Sequence, residues 1–316
     1  MTNPKTCEPV VPSYLSLSPG EIEQRAHSVF SRMKSCDLCA RVCGVNRLSG
    51  ELGVCKTGLQ LRISSYGAHL GEEDPLRGWK GSGTIFFARC NLHCQFCQNH
   101  DISQTDSGME VTPSELANIM LELQASGCHN INLVSPSHGA PQILIALMLA
   151  AQSGLRLPLV YNTGGYDSLE TLGVLDGIVD IYMPDMKYSN GGNAKKYSRA
   201  QDYPKVNRAA VKEMHRQVGD LQTDERGLAT HGLLVRHLVL PRKLAGTRQI
   251  VQFLADEISK NTYLNLMAQY RPAYNASRYP ELNRRITSEE YNAAVRMAKE
   301  AGLSRLDERR SYLFAV

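Results

Sequence analysis

The stretch Arg89–Gln98, RCNLHCQFCQ, sets three cysteines in C-x3-C-x2-C spacing directly after the apolar run Gly83–Ala88, GTIFFA. A disulfide consumes two sulfurs, and a structural zinc ion normally takes four protein ligands. Three thiolates on a cuboidal iron–sulfur cluster ligate three irons and leave the fourth open for a substrate or cofactor. The alternative from the residues alone is a zinc loop that borrows Cys128 or a histidine.

Working outward, the chain has 316 residues, 42% of them hydrophobic and 21% charged, enough to bury a sizeable core. The formal net charge of +4 comes from Lys and Arg spread along the chain, so no nucleic-acid footprint is expected. The longest apolar run, Ile143–Ala151, is too short to span a bilayer, and the N-terminus lacks the basic start and apolar core of a signal peptide. A cytoplasmic location without membrane contact is expected, where thiols stay reduced. The nine cysteines therefore read as metal ligands rather than disulfides, and seven of them fall into two groups. Cys7 and Cys128 stand alone, the latter as an inert buried thiol.

From Thr84 the sequence alternates strand and helix patterns. Short apolar runs predict strands at Thr84–Ala88, Asn130–Ser135, Leu157–Asn162, Ile178–Pro184, Leu233–Pro241 and Tyr263–Tyr270. Helices are predicted at Pro19–Lys34, Pro113–Ser126, Pro141–Gln152, Ser168–Leu175, Lys205–Val218, Thr247–Ser259 and Ser288–Ala301. TPSE at Thr112–Glu115 and TSEE at Thr287–Glu290 carry capping boxes. Six β-then-α units predict an α/β fold with a parallel sheet, a (β/α)6 partial barrel rather than a closed eight-stranded one. The expected organisation is an N-terminal helix and Cys-rich extension over 1–82, then the barrel with its C-terminal helix over 83–316. The charge-rich Asn190–His231 interrupts the alternation.

The cysteine loop follows the first barrel strand, at the carboxyl end of the sheet where α/β sites are built. CNLHCQFC in that position resembles the signature of radical S-adenosylmethionine enzymes. The resemblance implies that Cys90, Cys94 and Cys97 hold a 4Fe–4S cluster whose open iron is chelated by S-adenosylmethionine. It further implies reductive cleavage of the sulfonium to a 5′-deoxyadenosyl radical, which abstracts a hydrogen atom from the substrate. Phe96 matches the family's aromatic position, near the adenine. SPSHGAP, Ser135–Pro141, stands where relatives have a Gly-Gly-Glu motif; with no such Glu here, Ser135, Ser137 and His138 are cofactor-site candidates, or else a helix-capping turn.

YNTGGY (Tyr161–Tyr166, with Asn162), MPDMKY (Met183–Tyr188, with Asp185 and Lys187) and VRHLVLP (Val235–Pro241, with Arg236 and His237) resemble segments of glycyl-radical-enzyme activases. Strand alternation sends only one of Arg236 and His237 inward. The nearest resemblance is to a family related to pyruvate formate-lyase-activating enzyme. Required partners on this reading are S-adenosylmethionine and an electron donor such as flavodoxin or ferredoxin, with a glycyl radical enzyme as a third.

CDLCARVCGVNRLSGELGVCKTG, Cys36–Gly58, offers four more thiols: Cys36, Cys39, Cys43 and Cys55. Four ligands saturate either a second 4Fe–4S cluster or a structural zinc, and spacing alone does not separate the two. Three functions follow: an activase that installs a glycyl radical, a radical enzyme acting on a small molecule, peptide or other protein, or a non-enzymatic zinc-binding module. The absent Gly-Gly-Glu motif and the extra cysteines favour the second over a plain activase.

Overall fold

The computed structural model describes residues 11–307, so Cys7 lies outside the described part. In chain order, helix α1 (Pro19–Ser31) is followed by strand β1 (Leu61–His69), α2 (Asp74–Arg77) and β2 (Ser82–Phe87). Then come α3 (His100–Ser103), β3 (Met109–Val111), α4 (Pro113–Ala125), β4 (Ile131–Val134), α5 (Ala140–Gln152), β5 (Leu159–Thr163), α6 (Leu169–Val174) and β6 (Ile181–Pro184). The remainder holds α7 (Gly191–Ser198), α8 (Tyr203–Val218), β7 (Gln222–Thr223), β8 (Ala229–Leu238), α9 (Thr247–Phe253), β9 (Tyr263–Met267) and α10 (Ser288–Glu300).

The six strands expected from their apolar runs run parallel in the order β2-β4-β5-β6-β8-β9, each next to its predecessor along the barrel. Among the described residues β9 pairs along its length with β8 alone, and the sheet stays open, as a partial barrel requires. The capping boxes of α4 and α10 form as read, and Ser18 caps α1 ahead of Pro19. Three strands were not legible: the two-residue β7 pairs antiparallel with β8, and at the other edge β1 pairs antiparallel with β2 and β3 with β1. Both β1 and β3 carry many exposed side chains, so neither shows the buried apolar run that marks the barrel strands. Because β1 is hydrogen-bonded to β2, the expected division between 1–82 and 83–316 falls inside one paired sheet.

Alternation along the strands divides the core. Ile131, Leu133, Leu159, Tyr161, Leu233 and Val235 belong to the main core with the surrounding helices. Their strand neighbours Val160, Ile181, Met183 and Leu234 form a second cluster with Leu76 of α2. Asn130 Nδ2 donates to the Leu76 carbonyl at 2.8 Å and thereby ties α2 to the start of β4. No helix among the described residues is long and apolar enough to cross a membrane.

Candidate active site

After β2, Arg89 takes a left-handed conformation (φ 73°) and turns the chain into the loop that carries Cys90, Cys94 and Cys97. The loop is held from outside. Gln95 N–H donates to the Tyr197 carbonyl at 2.7 Å, and Asn91 Nδ2 donates to the Tyr166 carbonyl at 2.7 Å. Each sulfur has a polar neighbour: Cys90 Sγ accepts the Leu92 N–H at 3.4 Å, Cys94 Sγ accepts the Ser198 hydroxyl at 3.0 Å, and Cys97 Sγ lies 3.2 Å from Ser103 Oγ. Burial, reinforced by Cys94, pushes the Cys90 thiol up to about 12. Burial also raises Cys94, against the pull of Lys187, with Cys97 adding to the rise. Cys90 and Cys94 thus feel their neighbouring sulfurs, and a cysteine binds metal as the thiolate. Phe96 is buried edge-on to Tyr188 and Tyr270, at centroid distances of 6.3 and 5.8 Å.

Four residues from the ends of three strands meet beside this loop. Asp185 accepts from Lys187 Nζ at 2.5 Å and from Arg236 Nε at 2.9 Å, while Arg236 Nη2 donates to Asn162 Oδ1 at 2.7 Å. Burial pushes the Asp185 carboxyl up, but Arg236 and Lys187 outweigh it and hold it below the ordinary carboxylate value. Burial alone would lower Lys187; Asp185 and the Cys94 sulfur outweigh it and raise the ammonium pKa. Arg236 and Asn162 line a cavity of about 880 Å³, together with Phe86, Val134, Glu72 and Asn265. The network therefore runs from the cysteine loop to the cavity wall. Of the Arg236–His237 pair, Arg236 is the cavity residue. His237 is fully buried, with its ring nitrogens on the Met186 carbonyl and Thr247 Oγ1.

The YNTGGY turn is fixed by two residues that sequence reading missed. Tyr203 and Asn207 sit one turn apart on α8. The Tyr203 hydroxyl lies 2.9 Å from both the Gly164 and Asp185 carbonyls, and Asn207 Nδ2 donates to the Gly165 and Asp185 carbonyls at 3.0 and 2.9 Å. Gly165 has φ +73° and touches Asn207 and the Asp185 carbonyl where a side chain would begin. Glycine is required there. The i, i+4 spacing on α8 was the available signal, but nothing local tells a stapling pair from ordinary core.

The four-cysteine loop packs against the same region. Cys36 N–H donates to the Val45 carbonyl at 2.9 Å, Gly44 N–H returns to Cys36, and Cys39 bridges Asp167. Cys36, Cys39, Cys43 and Cys55 line one small hollow with Arg47 and His138. Burial, opposed by a backbone hydrogen bond at Arg41 and reinforced by Cys55 and Cys43, lifts Cys39 to about 12. Among the described residues no three His, Cys, Asp or Glu side chains converge on a point where a bare ion would sit; the four N-terminal thiols surround a small hollow instead. Arg41 joins the two loops: its Nε donates to the Asn91 carbonyl at 2.7 Å and its Nη2 to Ser198 at 3.2 Å.

The SPSH segment divides between the two regions. Ser135 adopts a left-handed conformation and its N–H donates to the Asn162 carbonyl at 2.8 Å. Ser137 turns away from the cavity and donates to the buried Asp167 at 2.6 Å. His138 lies in the four-cysteine hollow, not in the large cavity where a substitute for the Gly-Gly-Glu glutamate was expected. The cavity residues Glu72, Glu73 and Arg77 were missed because they follow the unpredicted β1.

A parallel partial barrel with a three-cysteine loop at its carboxyl end defines a class, and comparison with known proteins agrees. The radical SAM superfamily model matches residues 84–216. An uncharacterised protein of Methanocaldococcus jannaschii, MJ0674, is 31% identical over 298 residues, covering 91% of this chain and 81% of that one. A radical SAM methyltransferase structure from Sphaerobacter thermophilus is similar over 70% of this chain and 64% of its own, at 14% identity and a TM-score of 0.49. The structure of HydG, a maturase of the FeFe-hydrogenase, is similar over 69% of this chain and 48% of its own, at 12% identity and a TM-score of 0.47. The chain belongs to the radical SAM superfamily.

Proposed function

We propose that this protein is a radical SAM enzyme that draws its substrate into the cavity beside Arg236 and abstracts a hydrogen atom from it. Cys90, Cys94 and Cys97 fit a 4Fe–4S cluster in number, in chemistry and in their place at the sheet's carboxyl end. When bound, the cluster and S-adenosylmethionine supply one-electron cleavage of the sulfonium and the hydrogen-abstracting group. The chain's own residues bind and orient. Lys187 and Arg236 offer buried cationic donors for a carboxylate, held in place by Asp185. Phe86 and Val134 contribute an apolar part of the cavity wall.

The observation that carries this reading is the Lys187–Asp185–Arg236–Asn162 network, which reaches from the cysteine loop to the cavity. Cys36, Cys39, Cys43 and Cys55 hold a second metal centre, read as a second 4Fe–4S cluster that passes electrons or braces the loop. The Arg41 contacts between the loops support that reading over an isolated structural zinc. Anaerobic preparation followed by iron, sulfide and zinc analysis tests it. About eight irons per chain are expected, about four irons with one zinc assign zinc to the second centre, and zinc without iron overturns the enzymatic reading. Substrate-dependent release of 5′-deoxyadenosine then tests the activity.

A second reading is an activase, with a glycine backbone of a partner enzyme entering the cavity. It is favoured by the meeting of the YNTGGY, MPDMKY and VRHLVLP segments in one network. Electron paramagnetic resonance after incubation with S-adenosylmethionine, a reductant and candidate glycyl radical enzymes decides it, since only the activase yields a glycyl signal.

A further inference from the structure

The helical turn Pro136–His138 after β4 presents a group that the cofactor cavity does not use. His138 is 2% exposed, and its Nε2 is buried with no hydrogen-bond partner. A neutral imidazole carries its proton on one nitrogen and a lone pair on the other, and Nε2 is the nitrogen left without a partner. The ring lines the hollow formed by Cys36, Cys39, Cys43 and Cys55. Its backbone is pinned there by Arg47, whose buried guanidinium donates Nη1 to the His138 carbonyl at 2.8 Å and Nη2 to Gly58 at 2.7 Å.

A buried ring nitrogen left unpaired is costly, and native structures rarely keep one without a ligand or water to meet it. A buried imidazole with an unpartnered nitrogen in a hollow lined by four thiols has the surroundings of a metal-ligating histidine. We propose that His138 is the fifth donor of the N-terminal centre, its Nε2 facing the metal group held by Cys36, Cys39, Cys43 and Cys55. The inference rests on the reading of that loop as a metal centre. Five donors for four terminal positions mean that imidazole takes the place of one thiolate. The metal–nitrogen bond forms from the Nε2 lone pair as one metal–sulfur bond opens, and the sulfur keeps its electron pair, so no oxidation state changes. A neutral ligand then replaces an anionic one, which raises the potential of an iron–sulfur centre. The same strand end touches both sites, because Val134 lines the cofactor cavity and His138 the cysteine hollow.

The test uses the full chain, with and without C90A, C94A and C97A, labelled with ¹⁵N-histidine and purified anaerobically in the absence of S-adenosylmethionine. If the remaining centre is iron, hyperfine spectroscopy of its reduced form should show a strongly coupled ¹⁵N. H138L should lose that coupling and shift the midpoint potential downward. If the centre is zinc, absorption at the zinc edge should show imidazole together with sulfur. Sulfur-only coordination in the labelled protein with His138 intact overturns the fifth-donor role, whether or not H138L folds. A chain that binds no metal beyond that of the Cys90 group overturns the underlying reading as well, and metal content separates that failure from the first.

Discussion

Replacing Asp185 by Asn removes the one negative charge that stands between Lys187 and Arg236 while leaving the side chain's size almost unchanged. The carboxylate is 13% exposed and accepts from both cations, at 2.5 and 2.9 Å. Removing one member of a buried ion pair costs about 3–5 kcal/mol, because the partner charge stays buried and unpaired. Arg236 keeps Asn162 as an acceptor and Glu72 at 4.0 Å, so the loss falls mainly on Lys187 and the low end applies. The expected destabilisation is about 3 kcal/mol, equivalent to roughly 4–5 °C in Tm for a chain of this size. Urea unfolding of the metal-stripped protein measures it without interference from cofactor loss.

The sign of the pH dependence follows from the depressed Asp185 pKa. Its stabilisation is fully present above the unfolded carboxylate value near 4 and is lost as pH falls through the lower folded value. The gap between wild type and D185N should therefore stay level from pH 8 to about 5 and close below about 4. A gap under about 1 kcal/mol at pH 7, or one that widens on acidification, refutes the assignment of Asp185 as the pairing carboxylate. S-adenosylmethionine binding, followed in parallel, should weaken with the same substitution.

Gly165→Ala should destabilise by at least about 2 kcal/mol, from left-handed strain plus contact with the Asp185 carbonyl, whereas Gly173→Ala in α6, with open space around it, should be neutral or stabilising in the same melting assay. Removing Cys90, Cys94 and Cys97 should lower iron by about four per chain and abolish 5′-deoxyadenosine formation; removing Cys36, Cys39, Cys43 and Cys55 should leave about four irons behind. Burial holds His237 down to about 4, so its contribution to stability is present above the unfolded histidine value and drains away as pH falls from about 6.5 to 4. His237→Gln should flatten the corresponding part of the stability–pH curve, read by urea titration. Leu76→Ala, at the buried contact between α2 and the inner core cluster, should cost about 2–5 kcal/mol in unfolding free energy.

The sequence by itself determined the six parallel strands, the capped helices and the two cysteine groups. Each is written in local pattern: apolar runs for strands buried on both faces, Thr-x-x-Glu at helix starts, and ligand spacing within one loop. The grouping of Cys36, Cys39, Cys43 and Cys55 and the place of the three-cysteine loop after the first barrel strand follow from such short-range information. Tertiary structure decided the rest, where residues distant in the chain have to meet. Strand β1 forms where β2 offers it a partner edge, and its own polar sequence does not demand a strand. Asp185 and Arg236 become one ion pair only when β6 and β8 lie side by side. His138, three residues after a left-handed Ser135, turns from the expected cofactor cavity to the four-cysteine hollow. The turn is held by Arg47 on the His138 carbonyl and by the Asn162 carbonyl on the Ser135 N–H, partners distant in the chain, and no residue pattern within SPSH encodes which of the two sites the ring will face.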